Sequence, residues 1–222
     1  MRMRKKKWAD PWLAEHSDYI YENPVEYKGR WRELFGCEIL HVEIGTGKGD
    51  YLNNMARMYP SEGWVGIEKD RSAAAVAARK AIEEENPDLH NKRMIVNRAE
   101  DMCEWFEEGE IDIIHLNFSD PWPKKHTHKR RLSSKSFLDM YDRLLNENGR
   151  IRMKTDNKDL FEDSVCYLNE NGWILVEFSV DYRRTNHDED AVTEYEQRFL
   201  DLNQPIYQLC AVRRKADALM VE

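Results

Sequence analysis

Apolar and polar positions change period repeatedly along the chain. Short strand-like runs occur at "CEILHVEI" (37–44), "WVGIE" (64–68), "RMIVN" (93–97) and "IDIIHLNF" (111–118). Others occur at "RIRMKT" (150–155), "WILVEFSV" (173–180) and "PIYQLCAVRR" (205–214). Segments with helical spacing lie between them. "DYLNNMARMY" puts Leu52, Met55 and Tyr59 on one face. "DRSAAAVAARKAIEEE" is built of strong helix formers, with Asp70 or Ser72 as N-cap. "AEDMCEWF" predicts a short helix, "SSKSFLDMYDRLLNENG" a helix ending at Gly149, and "KDLFEDSVCYLNENG" one ending at Gly172. Strand and helix alternate five times, and then two strands come without a helix between them. The pattern predicts an α/β fold: a doubly wound, mostly parallel seven-stranded sheet with an antiparallel edge strand. The last two strands are expected to pair as a hairpin at one edge.

Residues 1–36 read differently. Trp8, Trp12, Tyr19, Tyr21, Tyr27 and Trp31 stand among polar residues, which predicts a basic N-terminal extension with one short helix near 25–35. Residues 37–222 form the expected main domain. The segment 181–204 is long for a loop, a length often tied to function.

No apolar run reaches the roughly 18 residues needed to span a bilayer, and no apolar stretch follows the basic start as in a signal peptide. The four cysteines lie far apart without a CxxC pair, so they read as reduced, mostly buried thiols of a cytoplasmic protein. The formal charge is −8, yet the positive charge is clustered: "RMRKKK", "KKHTHKRR" and "RRK" at 213–215. The acidic residues are spread over "EEENPD" and "EWFEEGEID". The net charge argues against indiscriminate binding to polyanions but does not exclude nucleic acid, because binding depends on the local field rather than the total charge.

Two stretches carry chemistry. "HVEIGTGKGDYL" is a strand, a glycine turn and a helix start, where backbone N–H groups can approach a ligand. The spacing fails the phosphate-binding P-loop and fits a dinucleotide fingerprint poorly. It fits an S-adenosylmethionine turn, with Glu43 before Gly45, Gly47 and Gly49. Glu68 ends the second strand, where an acid meets ribose hydroxyls. The second stretch, "SDPWPKKHTHKRR", follows the fourth strand and should face the same cleft. A stiff surface turn explains its prolines but not an Asp and a Trp fed into a run of cations, which suits phosphate contacts. "HTH" lacks a third metal ligand, so no metal is expected. Trp122 can stack on a base or simply pack the turn.

With "MRMRKKKWADPWL", "NPVEYKGRWRELFG", "RMKTDNKDLFE" and "TEYEQRF", these stretches resemble the bacterial tRNA (guanine-N7-)-methyltransferase family, from the first residues to about 212. The resemblance implies a Rossmann-like methyltransferase fold that uses S-adenosylmethionine to methylate N7 of a guanine in the variable loop of tRNA. It implies cofactor contacts from Glu43, Gly45, Gly47, Glu68 and Asp120, with Asp120 also the catalytic candidate. Lys124, Asp156, Thr193, Glu194, Tyr195 and Glu196 would hold the substrate. His126, Thr127, His128, Lys129, Arg130 and Arg131 would contact RNA. Arg98 stands where the family usually has an Asp or Asn on the adenine side, so Asn97 is the expected substitute. Thr127 is a second departure, inside an otherwise family-like tract. The expected partner is tRNA, with no membrane, and the protein a monomer or homodimer. The alternatives are an amino-group nucleic-acid methyltransferase, a nicotinamide-dependent oxidoreductase and a non-catalytic RNA-binding module.

Guanine N7 has an in-plane lone pair and no proton to lose, so the chemistry needs alignment rather than a general base. A carboxylate can stabilise the positive charge that forms on the ring and can accept hydrogen bonds from the N1–H and 2-amino edge. Asp120, Asp156 and Glu196 are the candidates for these two tasks.

Overall fold

A computed structural model describes residues 4–83 and 90–214. Met1–Met3 of the basic start, positions 84–89 of the acidic run and Lys215 lie outside the described residues. The chain opens with α1 (Ala9–Glu15), β1 (Ile20–Tyr21), a 3-10 turn at Val25–Tyr27 and α2 (Trp31–Phe35). It continues through β2 (Leu40–Ile44), α3 (Asp50–Met58), β3 (Gly63–Ile67), α4 (Arg71–Glu83), β4 (Lys92–Ile95), α5 (Met102–Trp105) and β5 (Ile111–Asn117). Then come α6 (Lys135–Leu144), β6 (Leu145–Thr155), α7 (Lys158–Glu170), β7 (Trp173–Ser179), α8 (Glu194–Asp201) and β8 (Tyr207–Arg213).

The strands form an eight-stranded sheet in the order β1-β4-β3-β2-β5-β6-β8-β7. Neighbours run parallel except at β8, which is antiparallel to both β6 and β7. The last two strands pair as predicted, with β8 the inner of the two. From β2 the chain steps outward to β4 and then restarts at β5 on the other side. This switch point opens a crevice at the carboxyl ends of β2 and β5.

The two faces of the sheet differ. Side chains at laterally paired positions share a face. Val42, Val65, Ile114, Ile151 and Ala211 are such a set. They pack with Trp31, Trp105, Phe106, Leu138, Tyr141 and Phe161 in the larger core. Burying one such aliphatic side chain contributes roughly 1.5–3 kcal/mol. On the opposite face Glu43, His115 and Arg152 are laterally paired, with His41 and Lys154 two residues along on the same side. Apolar packing returns there only toward β3 and β4, where Trp64 and Met94 meet α1, α3 and the alanine-rich side of α4.

The polar face is joined by a hydrogen-bonded chain. Glu62 Oε2 lies 2.8 Å from His41 Nε2, and His41 Nδ1 lies 2.9 Å from His115 Nε2. His115 Nδ1 is 3.2 Å from the Tyr51 hydroxyl, which donates to Asp190 Oδ1 at 2.9 Å.

Several expectations change. The sheet has eight strands rather than seven: Ile20 and Tyr21 pair with Met94 and Ile95 at the far edge, a strand too short to show any alternation. Among the described residues the extension holds two α-helices, not one. α1 buries Ala9 and Leu13, and Arg71 of α4 donates to Asp10. α2 is anchored where the Glu110 carboxylate accepts the Gly29 and Trp31 amides, both at 3.0 Å. α6 stops at Leu144, not at Gly149, because Leu145 is itself buried and pairs with Ile111 as strand. The polar residues after it make local bonds instead, from Asn146 to Asp112 and from the Asn148 amide to Asn146. Asp70 is the N-cap of α4, accepting the Ser72 and Ala73 amides. Gly172 ends α7 at φ +81°. All four cysteines are free, but only Cys210 is buried; Cys166 is exposed and the other two are half-buried. No helix among the described residues is long and apolar enough to cross a membrane.

Candidate functional site

The glycine turn joins β2 to α3. Gly45, Gly47 and Gly49 have φ of +80°, +56° and +78°, the left-handed region that disfavours any residue with a Cβ. Their reasons for being glycine then diverge. A Cβ on Gly45 or Gly47 would meet nothing within 4 Å, whereas one on Gly49 would lie 2.6 Å from Ala77 Cβ. Gly49 lets α3 close on α4, while Gly45 and Gly47 leave open space beside the turn.

Glu43, one residue before the end of β2, is 2% exposed. Its Oε1 accepts from Asn117 Nδ2 at 3.0 Å, and Oε2 has no hydrogen-bond partner. Burial pushes its carboxyl up to about 7, against the hydrogen bond from Asn117 and the charge of Lys154. Glu68 is also buried; its two oxygens accept the Gly47 amide at 2.9 Å and the Asp70 amide at 2.8 Å. Burial raises its pKa despite those amides. Asn97, expected at the adenine side, gives its amide hydrogen to Glu22 O and takes the Arg98 amide, so both ends of its side chain are engaged locally. Arg98 is exposed and paired with Glu100.

The fourth predicted strand, β5, ends in a strained turn. Phe118 and Trp122, on either side of Asp120, have φ of +50° and +42°. Bulky residues held there cost of order 1–3 kcal/mol each, so the surroundings must impose the conformation. Arg131 supplies much of the restraint. It is 2% exposed. Its Nε donates to Pro121 O at 2.7 Å, one terminal nitrogen to Asp163 at 2.5 Å, and the other to His128 Nε2 at 3.0 Å. His128 Nδ1 then faces the Tyr167 hydroxyl at 3.1 Å. Thr127 is used internally too, donating to Lys124 O at 2.6 Å. Of the tract expected to contact RNA, Arg131, His128 and Thr127 thus brace the turn. His126, Lys129 and Arg130 are exposed, as are Lys124 and Lys125. Arg130 lies 5.0 Å over the Trp122 ring, a cation–π contact that stiffens the same turn.

The third wall comes from β6 and α8. Tyr195 is 43% exposed and packs with Phe118 at 5.1 Å and Phe199 at 5.2 Å between ring centroids. Burial raises its pKa first, followed by the negative charge of Asp156, with Asp120 acting in the same direction. Asp156 is half-buried, and burial raises its pKa. Glu194 reaches back across the cleft to Lys48 of the glycine turn at 3.7 Å.

Thr193 caps α8, its hydroxyl accepting the Glu196 amide at 3.0 Å. The Glu196 side chain points inward and is 0% exposed. Its Oε1 accepts from Arg183 Nε at 2.6 Å and its Oε2 from Lys154 Nζ at 3.1 Å. Glu196 is fully buried on these two cations, whereas Asp120 and Asp156, the other carboxylates expected to face a guanine, are exposed and half-buried. Four residues central to this arrangement were not picked out from sequence: Asn117, Lys154, Arg183 and Asp190. Lys154 did carry a signal, a cation in the strand "RIRMKT", because lysine is almost never fully buried unless paired. Among the described residues no group of three or more His, Cys, Asp or Glu is placed to hold a metal.

Residues 38–209 match a protein-family model described as "Putative methyltransferase". The chain is 44% identical over 213 residues to a tRNA (guanine-N(7)-)-methyltransferase of Limosilactobacillus reuteri, covering 95% of this chain and 99% of that one. A Bacillus subtilis relative of the same name is 41% identical, covering 94% of this chain and 97% of that one. Similar solved structures include the 16S rRNA methyltransferase KamB, with a TM-score of 0.62 at 15% identity over 84% of this chain and 94% of that one. Another is a 16S rRNA (adenine(1408)-N(1))-methyltransferase variant from Catenulisporales acidiphilia, with a TM-score of 0.58 at 13% identity over 85% and 92%. At such identity these two establish the fold alone.

Proposed function

Because the chain belongs to the tRNA (guanine-N(7)-)-methyltransferase family, we propose that it takes its methyl group from S-adenosylmethionine and places it on N7 of a variable-loop guanine of tRNA. What carries the reading is a convergence at the strand ends. The open glycine turn with the unpaired Glu43 oxygen follows β2, while Asp120 follows β5, Asp156 follows β6, and Tyr195 packs on Phe118 at the end of β5.

S-adenosylmethionine supplies an electrophilic methyl on a cationic sulfur. The cofactor side fits such a molecule. Glu43 offers a desolvated acceptor to an ammonium group, and binding a cation there favours its ionised form. Gly45 and Gly47 let a ligand approach the backbone. Glu68 uses two of its roughly four lone-pair sites on amides, leaving capacity for ribose hydroxyls. Asn97 would have to release Glu22 to read adenine.

On the substrate side the residues position and select. Tyr195, backed by Phe118 and Phe199, offers a stacking face worth roughly 1–3 kcal/mol per base. Asp120 and Asp156 can accept from the guanine N1–H and 2-amino edge, which adenine cannot match. Their charge also favours the cationic ring that forms as N7 is alkylated. Lys124, Lys125, His126, Lys129 and Arg130 form an exposed basic rim suited to phosphates, which would hold the tRNA while acidic groups meet the base. With tRNA as the substrate, the proposed site of action is the cytoplasm.

The test is direct. The protein is incubated with S-adenosylmethionine and undermodified tRNA, and the RNA is then reduced and treated with aniline. N7-methylguanosine becomes labile, so strand cleavage at one variable-loop guanine is expected. Methyl incorporation without cleavage would overturn the assignment in favour of an amino group, and no incorporation would leave an RNA-binding module.

A further inference from the structure

Lys154 lies at the end of β6, two residues before Asp156, and its side chain is 4% exposed. Its ammonium group donates to Asp190 Oδ2 at 2.6 Å, Glu196 Oε2 at 3.1 Å and Ala191 O at 3.3 Å, which uses all three hydrogens. Arg183 completes the cluster. Its Nε donates to Glu196 at 2.6 Å, and a terminal nitrogen donates to Asp190 Oδ2 at 2.6 Å. Two cations and two anions, each under 10% exposed, balance one another. Breaking such a buried set by removing one member leaves an uncompensated charge.

The placement of this quartet is informative. It holds the 183–196 segment, which leads through the cap Thr193 into α8 and Tyr195, against the strand that precedes Asp156. It does so beside the other half of the site: the charge of Lys154 acts on Glu43, two strands away. The ammonium also sits 4.8 Å over the Tyr51 ring, which fixes it from the α3 side.

We propose that Lys154 is a positioning residue for methyl transfer. Through Asp190 and Glu196 it sets α8, and with it the base-stacking face of Tyr195, relative to the cofactor-side acid and to Asp156. This rests on the function proposed above. Lys154 touches neither substrate nor the reacting atoms; it fixes where the guanine lies. Phosphate contacts dominate tRNA affinity, whereas a displacement of about 1 Å at the reacting centre can cost on the order of 100-fold in rate. Loss of Lys154 should therefore appear in kcat and leave KM for tRNA almost alone.

Two variants test this. The double variant Lys154→Met with Glu196→Gln removes one cation and one anion, so the remaining Arg183 and Asp190 stay balanced. Lys154→Arg keeps the charge but replaces the compact three-donor group with a planar one. For both, melting temperature, S-adenosylmethionine affinity and steady-state kinetics on tRNA are measured against wild type. The expected result is a folded protein with KM for tRNA within threefold of wild type, and, in Lys154→Arg, which keeps the charge acting on Glu43, cofactor affinity within twofold. Expected kcat is lower by about 100-fold in the double variant and at least 10-fold in Lys154→Arg. A folded variant of either kind with kcat within threefold of wild type would overturn the proposal, as would a loss confined to KM. Should the double variant not fold, Lys154→Arg decides by the same criteria. Wild type that makes no N7-methylguanosine would instead refute the proposed function.

Discussion

Replacing Glu43 by glutamine separates the energetic cost of this site from its use. The buried carboxyl is raised from 4.5 to about 7 in the folded protein, chiefly by burial. Below pH 4.5 the group is protonated in both folded and unfolded chains and favours neither. As pH rises toward 7 the unfolded chain ionises first, so stability is lost progressively, and the loss levels off above pH 7. A rise of this size corresponds to a penalty on the order of 3 kcal/mol at pH 8. Glutamine carries no such penalty and can still accept from Asn117. Glu43→Gln should therefore melt at nearly the wild-type temperature near pH 4.5. At pH 8 it should melt higher, by roughly 6–12 °C for a chain of this size. The assay is thermal denaturation of both proteins from pH 4.5 to 8. Subtracting the curves removes Glu68 and Asp156, which titrate in both proteins. Cofactor affinity should move the other way: S-adenosylmethionine binding should weaken about 100-fold, the loss of a charge-assisted hydrogen bond of roughly 1.5–3 kcal/mol. A melting difference that stays flat across this pH range would refute the account of Glu43 as a desolvated acid.

The glycine turn gives a paired prediction. Gly47→Ala should cost about 1–2 kcal/mol of backbone strain and weaken cofactor binding, whereas Gly49→Ala should lose stability further through its clash with Ala77; melting curves and cofactor titration separate them. Phe118→Ala and Phe118→Gly both delete the ring, so they differ only in backbone freedom at φ +50°, and glycine should be the more stable by about 1 kcal/mol in denaturant titrations. Lys129→Ala and Arg130→Ala should each flatten the salt dependence of tRNA binding by roughly 0.7–0.9 in log–log slope if each neutralises one phosphate. Arg131→Ala should leave that slope unchanged and cost roughly 2 kcal/mol of stability, because its donors are spent on Pro121, Asp163 and His128.

The legible parts of the chain were those whose information is local. Strands β2 to β8 follow from short apolar runs, and Glu43, the glycines and Glu68 stand at strand ends where the fold class puts ligands. The N-terminal region was read less well because its contacts are distant. Two residues of strand acquire meaning only beside β4, and α2 is fixed by a glutamate 79 residues along the chain from Trp31. The same holds for the basic tract. "HTHKRR" reads as uniform positive charge, but Arg131 and His128 turn inward because Asp163 and Tyr167 of α7 receive them. In "TEYE" the sequence places a threonine three residues before a glutamate. It cannot show that this glutamate turns toward Lys154 and Arg183, since that depends on partners 42 and 13 residues away.

The chain linking Glu62 to Asp190 has a consequence in hydrogen counting. Asp190 is paired with two cations and can only accept, so the Tyr51 proton goes to it. Tyr51 must then accept from His115 Nδ1. Burial first, then the nearby positive groups, keeps His115 well below its usual pKa, hence neutral, so its Nε2 must accept from His41 Nδ1. His41 Nε2 is left facing Glu62 at 2.8 Å. Burial lowers the pKa of His41, against the hydrogen bond and charge of Glu62. Every bond from His41 to Asp190 points the same way because Asp190 can only accept. The tautomers of two imidazoles on the inner strands are thus set by a carboxylate in the segment before α8, on the substrate side.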